Sequence, residues 1–279
     1  MNRMQPIAAR QRDPRARGPD LVAGIAGIGF WAEGLPSWEA ARRFAGDGTL
    51  PDDAPRRPSP RLLPANERRR APESVAVALE VALAACEAAA RDPATLPSVF
   101  ASTHGDLGIT DYICDTLATD AAAMSPTRFH NSVHNAAAGY WTIGAGCHAP
   151  ATAISSHQAS FAQGLLESLV QLAGDGTQAV LLVAYDGRSA GALAGVTRSE
   201  GLLGAALVLA AEPGPGMPRL RATLVEGAAP PPAGRLAQRL EGNAMWPMLP
   251  LFQALASGQD LVVLHAGPSQ SLRVEIAHG

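Results

Sequence analysis

With 279 residues and a net charge of −3, the chain can build a real hydrophobic core and has no default affinity for nucleic acid or an anionic membrane. Hydrophobic residues make up 47% and charged residues 17%, a globular composition on the apolar side. All 22 basic residues are arginine, which excludes lysine Schiff-base chemistry and a P-loop lysine.

Residues 1–20 hold five arginines and no apolar h-region, so they read as a flexible Arg-rich tail and not as a secretory signal. Leu21–Phe30, apolar and rich in small residues, predicts a buried first strand. Ser37 caps a helix over Trp38–Phe44 that Gly46 is expected to stop. A Pro- and Asp-rich loop fills 46–61, and a long helix is expected over about Ser74–Arg91. Ser98–Thr103 reads as a strand, about Ile109–Ala118 as a helix, and Val133–Ile143 as another within Ser125–Gly146.

A strand at Ala151–Ser156, a helix over Ser160–Ala173 and a turn at Gly174-Asp175-Gly176 lead into the strongest strand, Ala179–Tyr185. Gly204–Ala210 and Leu220–Val225 are further strands, 227–234 is a Pro/Gly linker, and a short helix (Met248–Ala256) and strand (Leu261–His265) follow. Strands alternating with helices define an α/β layered domain over 21–226, with 235–279 as a C-terminal appendage packed on it. No apolar run approaches the roughly 18–20 residues of a membrane span, and three cysteines without a CxxC fit a reducing cytosol. A soluble cytoplasmic protein is expected.

Several motifs invite chemistry that their spacing does not support. Gly24, Gly27 and Gly29 form GIAGIG and not the GxGxxG that opens a helix, so close packing of a strand accounts for them better than a dinucleotide does. Cys86 and Cys114 sit among apolar neighbours as expected core residues, and Cys147 beside His148 lacks the geometry of an activated pair. His130 and His134, four apart, would share a helix face, and with His148 and Asp106 they suggest metal ligands. Without a zincin glutamate, hydrogen bonding at a helix start or interface is the better account, and no metal or cofactor is expected. Ser155, Ser156 and His157 suggest a serine hydrolase, yet no GxSxG elbow surrounds them.

The run from Ser125 to Leu169 carries a specific resemblance. Ser125-Pro126, Asn135, Ala138-Gly139, Pro150, the strand after it and the helix after Ser160 follow one another as in the β-ketoacyl synthases, where this segment leads into the nucleophilic cysteine. Counting from Pro150, Gln158 occupies the cysteine position. The surrounding segments Leu62–Arg70, Gly176–Asp186 and Glu200–Ala210 also resemble that family, so the likeness covers about 20–226. The resemblance implies a thiolase-like half-fold, the N-terminal half of a ketosynthase, with a mixed five-stranded sheet packed between helices. The half that carries the family's two catalytic histidines and its lysine has no counterpart here.

Glutamine at the cysteine position resembles chain length factors and decarboxylating loading domains, and the short form resembles the ketosynthase-like proteins of aryl polyene clusters. That likeness implies a non-condensing subunit without a catalytic residue of its own. Its implied partner is a full-length β-ketoacyl synthase, met through the regions around 98–108 and 151–156, with acyl carrier protein contacted through the complex. Family gating positions fall on Tyr112, Ile113, Thr116, Phe129 and His130, with His134 and Asn135 beside them, as expected tunnel or interface residues. Two alternatives are a malonyl-carrier-protein decarboxylase using Gln158 and a free-standing hydrolase using Ser155 or Ser156.

Overall fold

The computed structural model describes residues 21–279 except residue 175. The expected tail over 1–20, and Asp175 in the expected 174–176 turn, lie outside the described residues. Eight strands run in chain order among these residues: β1 (Leu21–Ala32), β2 (Ser98–Ala101), β3 (Ala151–Ile154), β4 (Ala179–Asp186), β5 (Leu203–Ala210), β6 (Arg219–Glu226), β7 (Leu261–Gly267) and β8 (Gln270–Ala277). The helices are α1 (Trp38–Asp47), α2 (Ala65–Arg68), α3 (Glu73–Ala88), α4 (Leu107–Thr119), α5 (Pro126–His130), α6 (Ala136–Ala145), α7 (Ser160–Ala173), α8 (Arg235–Arg239) and α9 (Leu249–Ser257).

All eight strands form one mixed sheet in the order β3-β2-β4-β5-β1-β6-β8-β7. The three strands β3, β2 and β4 are parallel, joined by helical crossovers as parallel pairing requires, and every other pair is antiparallel. The first five strands of that order are the mixed five-stranded sheet expected between helices. The sheet does not stop there: β6, β8 and β7 extend it, so 235–279 contributes two strands to the same sheet. In β8, Leu272, Val274 and Ile276 face the core between exposed Arg273 and Glu275, a period-two signal that the sequence reading passed over.

Strands β4 and β5 are buried along their whole length, and side-chain alternation divides them between two cores. Val180, Leu182, Ala184, Leu207 and Leu209 face α1, α7 and α9, whereas Leu181, Val183, Tyr185, Ala206 and Val208 face α3 and α6. Phe252 of α9 ties the first core together, with ring centroids 5.7 Å from Phe30 and 6.0 Å from both Trp38 and Phe161. Buried aromatic groups of this kind dominate core energetics, and removing one costs about 3–5 kcal/mol.

Gly27 and Gly29 have the packing role expected of them. A Cβ on Gly29 would stand 2.0 Å from the Val81 carbonyl oxygen, and one on Gly27 would stand 2.2 Å from that of Ala85, both on α3. The missing side chains let α3 lie directly on β1.

Three local expectations change. Ser37 caps α1 as read, its hydroxyl accepting from the Ala40 N–H, but Gly48 and not Gly46 ends it, because Gly48 is the residue at φ +85°. His130 ends α5 whereas His134 sits in the turn before α6, so the two do not share a helix face. Cys86 and Cys147 are buried, but Cys114 is exposed on α4 and is no core residue.

Gly29→Ala is expected to lower stability by about 3 kcal/mol through backbone overpacking. Gly139→Ala within α6, where a Cβ meets nothing within 4 Å, is expected to raise it by about 0.5–1 kcal/mol. Denaturant melts of the two variants check the pair, and equal stabilities would remove the packing argument.

Candidate functional site

The site lies where the C-terminal ends of β2, β3 and β4 meet the start of α7. A single 3-10 turn over His157–Ala159 joins β3 to α7 and holds Gln158. His157 sits at φ +50°, a conformation that costs a non-glycine residue on the order of 1–3 kcal/mol. Hydrogen bonds hold it there. Ser160 Oγ accepts from the Ser156 N–H at 2.9 Å and donates to the His157 carbonyl at 2.7 Å, and Thr103 Oγ1 donates to that carbonyl at 3.3 Å. The turn presents Gln158 to solvent, and its carboxamide makes no hydrogen bond among the described residues.

Beneath Gln158 the loop after β2 is pinned by a buried carboxylate. Asp186, at the end of β4, accepts from Ser102 Oγ (2.8 Å) and from the N–H groups of Thr103 (2.9 Å) and His104 (3.2 Å). Burial pushes the Asp186 carboxyl up from its ordinary value, and the hydrogen bonds from Thr103 and Ser102 and the nearby His104 charge act in the opposite direction. His104 Nε2 meets Thr197 Oγ1 at 2.8 Å, and burial pushes its imidazole down despite Asp186 beside it. Asn243 closes the far wall, its amide donating to the Glu200 carbonyl at 2.8 Å and to that of Asp186 at 3.3 Å. Thr103, His104, Thr197 and Asn243 line a cleft of about 650 Å³ that Gln158 borders from one side.

Sequence reasoning singled out Gln158 and passed over Asp186, His104, Thr197 and Asn243, which surround it in the structure. The signal for Asp186 was a charged residue ending an otherwise apolar strand (AVLLVAYD). Nothing local marks Thr197 or Asn243, because they arrive from distant loops.

The seven expected tunnel or interface residues lie together on a different surface. Tyr112, Ile113 and Thr116 are on α4, Phe129 and His130 on α5, and His134 and Asn135 in the turn that leads to α6. Tyr112 fastens this region: its hydroxyl accepts from the Ser125 N–H at 3.1 Å, and the Arg128 guanidinium stacks 4.0 Å above its ring. Thr116 is buried, with its hydroxyl bonded to the Tyr112 carbonyl. Phe129, His130 and Asn135 are exposed, and His134 Nε2 lies 2.8 Å from the Ser102 carbonyl oxygen, which links this surface to the loop held by Asp186. None of the seven lines the clefts of about 510, 650 and 770 Å³.

The alternative chemistries find no geometry. Ser155 Oγ donates to the Thr103 carbonyl at 3.0 Å, and among the described residues no hydrogen bond joins the His157 ring to Ser155 or Ser156. Among these residues no three His, Cys, Asp or Glu side chains are placed to share a metal ion.

A mixed sheet with its crossover helix α7 enclosed is the thiolase-like fold of the ketosynthases. The family model of the β-ketoacyl synthase N-terminal domain matches residues 37–268, and the chain belongs to that family.

Solved structures show the same fold. A chain from the complex of the ketosynthase ApeO with its chain length factor ApeC from Xenorhabdus doucetiae superposes with a TM-score of 0.71 at 22% identity, over 91% of this chain and 99% of that one. A chain from the ishigamide ketosynthase/chain length factor gives 0.71 at 14%, over 92% and 99%. One from AntDE:AntF, a type II acyl carrier protein complexed with its ketosynthase bound to the hexaketide, gives 0.69 at 11%, also over 92% and 99%. Among curated proteins no sequence matches significantly. No helix among the described residues is long and apolar enough to cross a membrane.

Asp186→Ala is expected to lose at least about 3 kcal/mol, because the buried Ser102 hydroxyl and the half-buried Thr103 and His104 N–H groups lose their acceptor together. Asp186→Asn, which keeps one acceptor oxygen, is expected to fall between it and the parent. Thermal melts that leave Asp186→Ala at the parental midpoint would refute the pinning role.

Proposed function

We propose that this chain is a non-condensing, chain-length-factor-type subunit that pairs with a full-length β-ketoacyl synthase and shapes the acyl tunnel of the pair. The observation that carries the reading is Gln158 at the start of α7, where the family's thiol nucleophile would be activated by the helix N-terminus. A carboxamide cannot attack a thioester, so a chain with Gln158 there cannot form the acyl-enzyme itself.

Support for pairing comes from the surface beside β3. That strand is an edge of the sheet, only four residues long, with Ala151 and Ala153 exposed. Phe129 (64% exposed) on α5, Val133 (52%) in the turn before α6, and Ile143 (80%) on α6, the helix that packs beside β3, are exposed apolar side chains. An open edge next to exposed large apolar side chains is the pattern of a surface that a partner covers.

In this reading Tyr112, Ile113 and Thr116 on α4, with Phe129, His130, His134 and Asn135, border the tunnel or the contact. Acyl carrier protein docks through the complex. Support for that comes from the cleft of about 770 Å³ next to α5, where Arg70, Arg128 and Arg188 outnumber the carboxylates of Glu73 and Asp106 and suit a phosphate-bearing arm. Decarboxylation of a malonyl thioester at Gln158 has less support, because Glu200 and Glu241 line that cleft and repel a substrate carboxylate.

The test is co-expression with a full-length ketosynthase from a polyene or polyketide system. The pair is expected to co-purify, and Phe129→Asp with Ile143→Asp is expected to weaken pairing by about tenfold or more. Tyr112→Ala is expected to keep the complex and alter product length. A stable, partnerless chain would sink the subunit reading, and an intact complex with unchanged products would sink the gating role.

A further inference from the structure

Two cavities meet at Gln158. The cleft of about 650 Å³ has a polar wall, and a smaller cavity of about 190 Å³ opens on its other side, lined by Pro230, Pro231, Pro232, Pro250 and Val263. Gln158, Trp246 and Pro247 line both. The segment around Pro230 joins β6 to α8, yet it forms one wall of this small cavity against the β7 side chains Val263 and His265. The Trp246 Nε1–H donates to the Ala237 carbonyl at 2.8 Å, which fixes the indole whose surface both cavities share.

We infer that this junction is a ligand site of the chain itself, for a small uncharged molecule with one carbonyl or amide group attached to a compact ring. Size argues for the ring: a cavity of about 150 Å³ with apolar walls holds benzene, and this one is somewhat larger. The proline, valine and tryptophan surfaces supply apolar contact for a ring, and the His265 imidazole is the one ionisable group on the same lining. Gln158 argues for the carbonyl or amide, because its free carboxamide offers a donor and an acceptor at the mouth of the small cavity.

Charge argues for neutrality. Arg198, the one arginine lining the larger cleft among the described residues, donates through Nε to Glu200 at 2.8 Å, and Glu241 adds a second carboxylate. A ligand anion would meet those carboxylates with the arginine already engaged. The site is separate from the role proposed with a partner, since every wall comes from this chain and binding to the isolated protein reports on it alone.

Benzamide and its anionic counterpart benzoate are the probes, titrated into the full chain at neutral pH and followed by calorimetry or ligand-observed NMR. Saturable benzamide binding is expected, with benzoate about tenfold weaker or more. Val263→Trp, which fills the small cavity, and Gln158→Leu, at an exposed position the fold does not depend on, are each expected to weaken benzamide about fivefold to tenfold. Absence of benzamide binding, equal affinity for benzoate, or unchanged affinity in Gln158→Leu would each overturn the site. Should Val263→Trp misfold, the Gln158→Leu and benzoate comparisons decide alone.

Discussion

The architecture rests on helix α7 being enclosed by sheet from more than one side. It packs on β2, β4 and β1 and also reaches β7 at the far edge of the same sheet, where Gln163 Nε2 donates to the Ala266 carbonyl at 2.8 Å. The sheet therefore curves around the helix. Phe161, Leu165, Leu169 and Leu172 are buried, and Gly164 lets the helix settle within about van der Waals distance of Ala101 and Leu182. A helix held this firmly cannot shift its first turn. Whatever stands at that turn is delivered to a fixed point at the ends of the parallel strands, the general location of ligand crevices in open α/β sheets.

In the proposed reading, a carboxamide in place of a thiol at this turn changes the chemistry without changing the position. The strained His157, the Ser160 hydroxyl that bonds on both sides of it and the buried Asp186 below still hold the turn in place. A preorganised turn with an unpaired amide suits recognition, which needs fixed donors and acceptors and no nucleophile.

What was legible in the sequence follows from periodicity and local chemistry. Strands β4 and β5, buried on both faces, read as continuous apolar runs, and α7 was read with its boundaries because Ser160 and the Gly174 turn bracket it. Ser37 was visible as a cap because capping is a local hydrogen bond. Strand β8 was equally visible in LRVEI and was overlooked. The wall of the cleft was not legible: Thr197, Asn243 and Trp246 lie about 40–90 residues beyond Gln158, and only the tertiary fold brings them to it. The helix boundary between His130 and His134 was hidden for another reason. The Phe129 and Ser132 pairing that closes α5 is a tight turn without glycine or proline to announce it.

The two edges of the sheet are treated differently, and the difference bears on the proposed partnership. At β7 the pairing with β8 is irregular between His265 and Gly267, and a run of three prolines, which have no N–H to donate, lies beside the strand. Irregular pairing and adjacent proline are the devices by which proteins discourage strand addition. Edge β3 has a proline only before its first residue, Pro150, and no irregular pairing. It presents small side chains, its register with β2 is regular from Ser98–Ala151 to Ala101–Ile154, and α6 beside it carries the exposed Ile143. One edge is closed and one left open. The open edge is continuous through β2 with the loop that Asp186 pins beneath Gln158, so a partner seated on β3 would press on the strand that leads directly into the Gln158 turn.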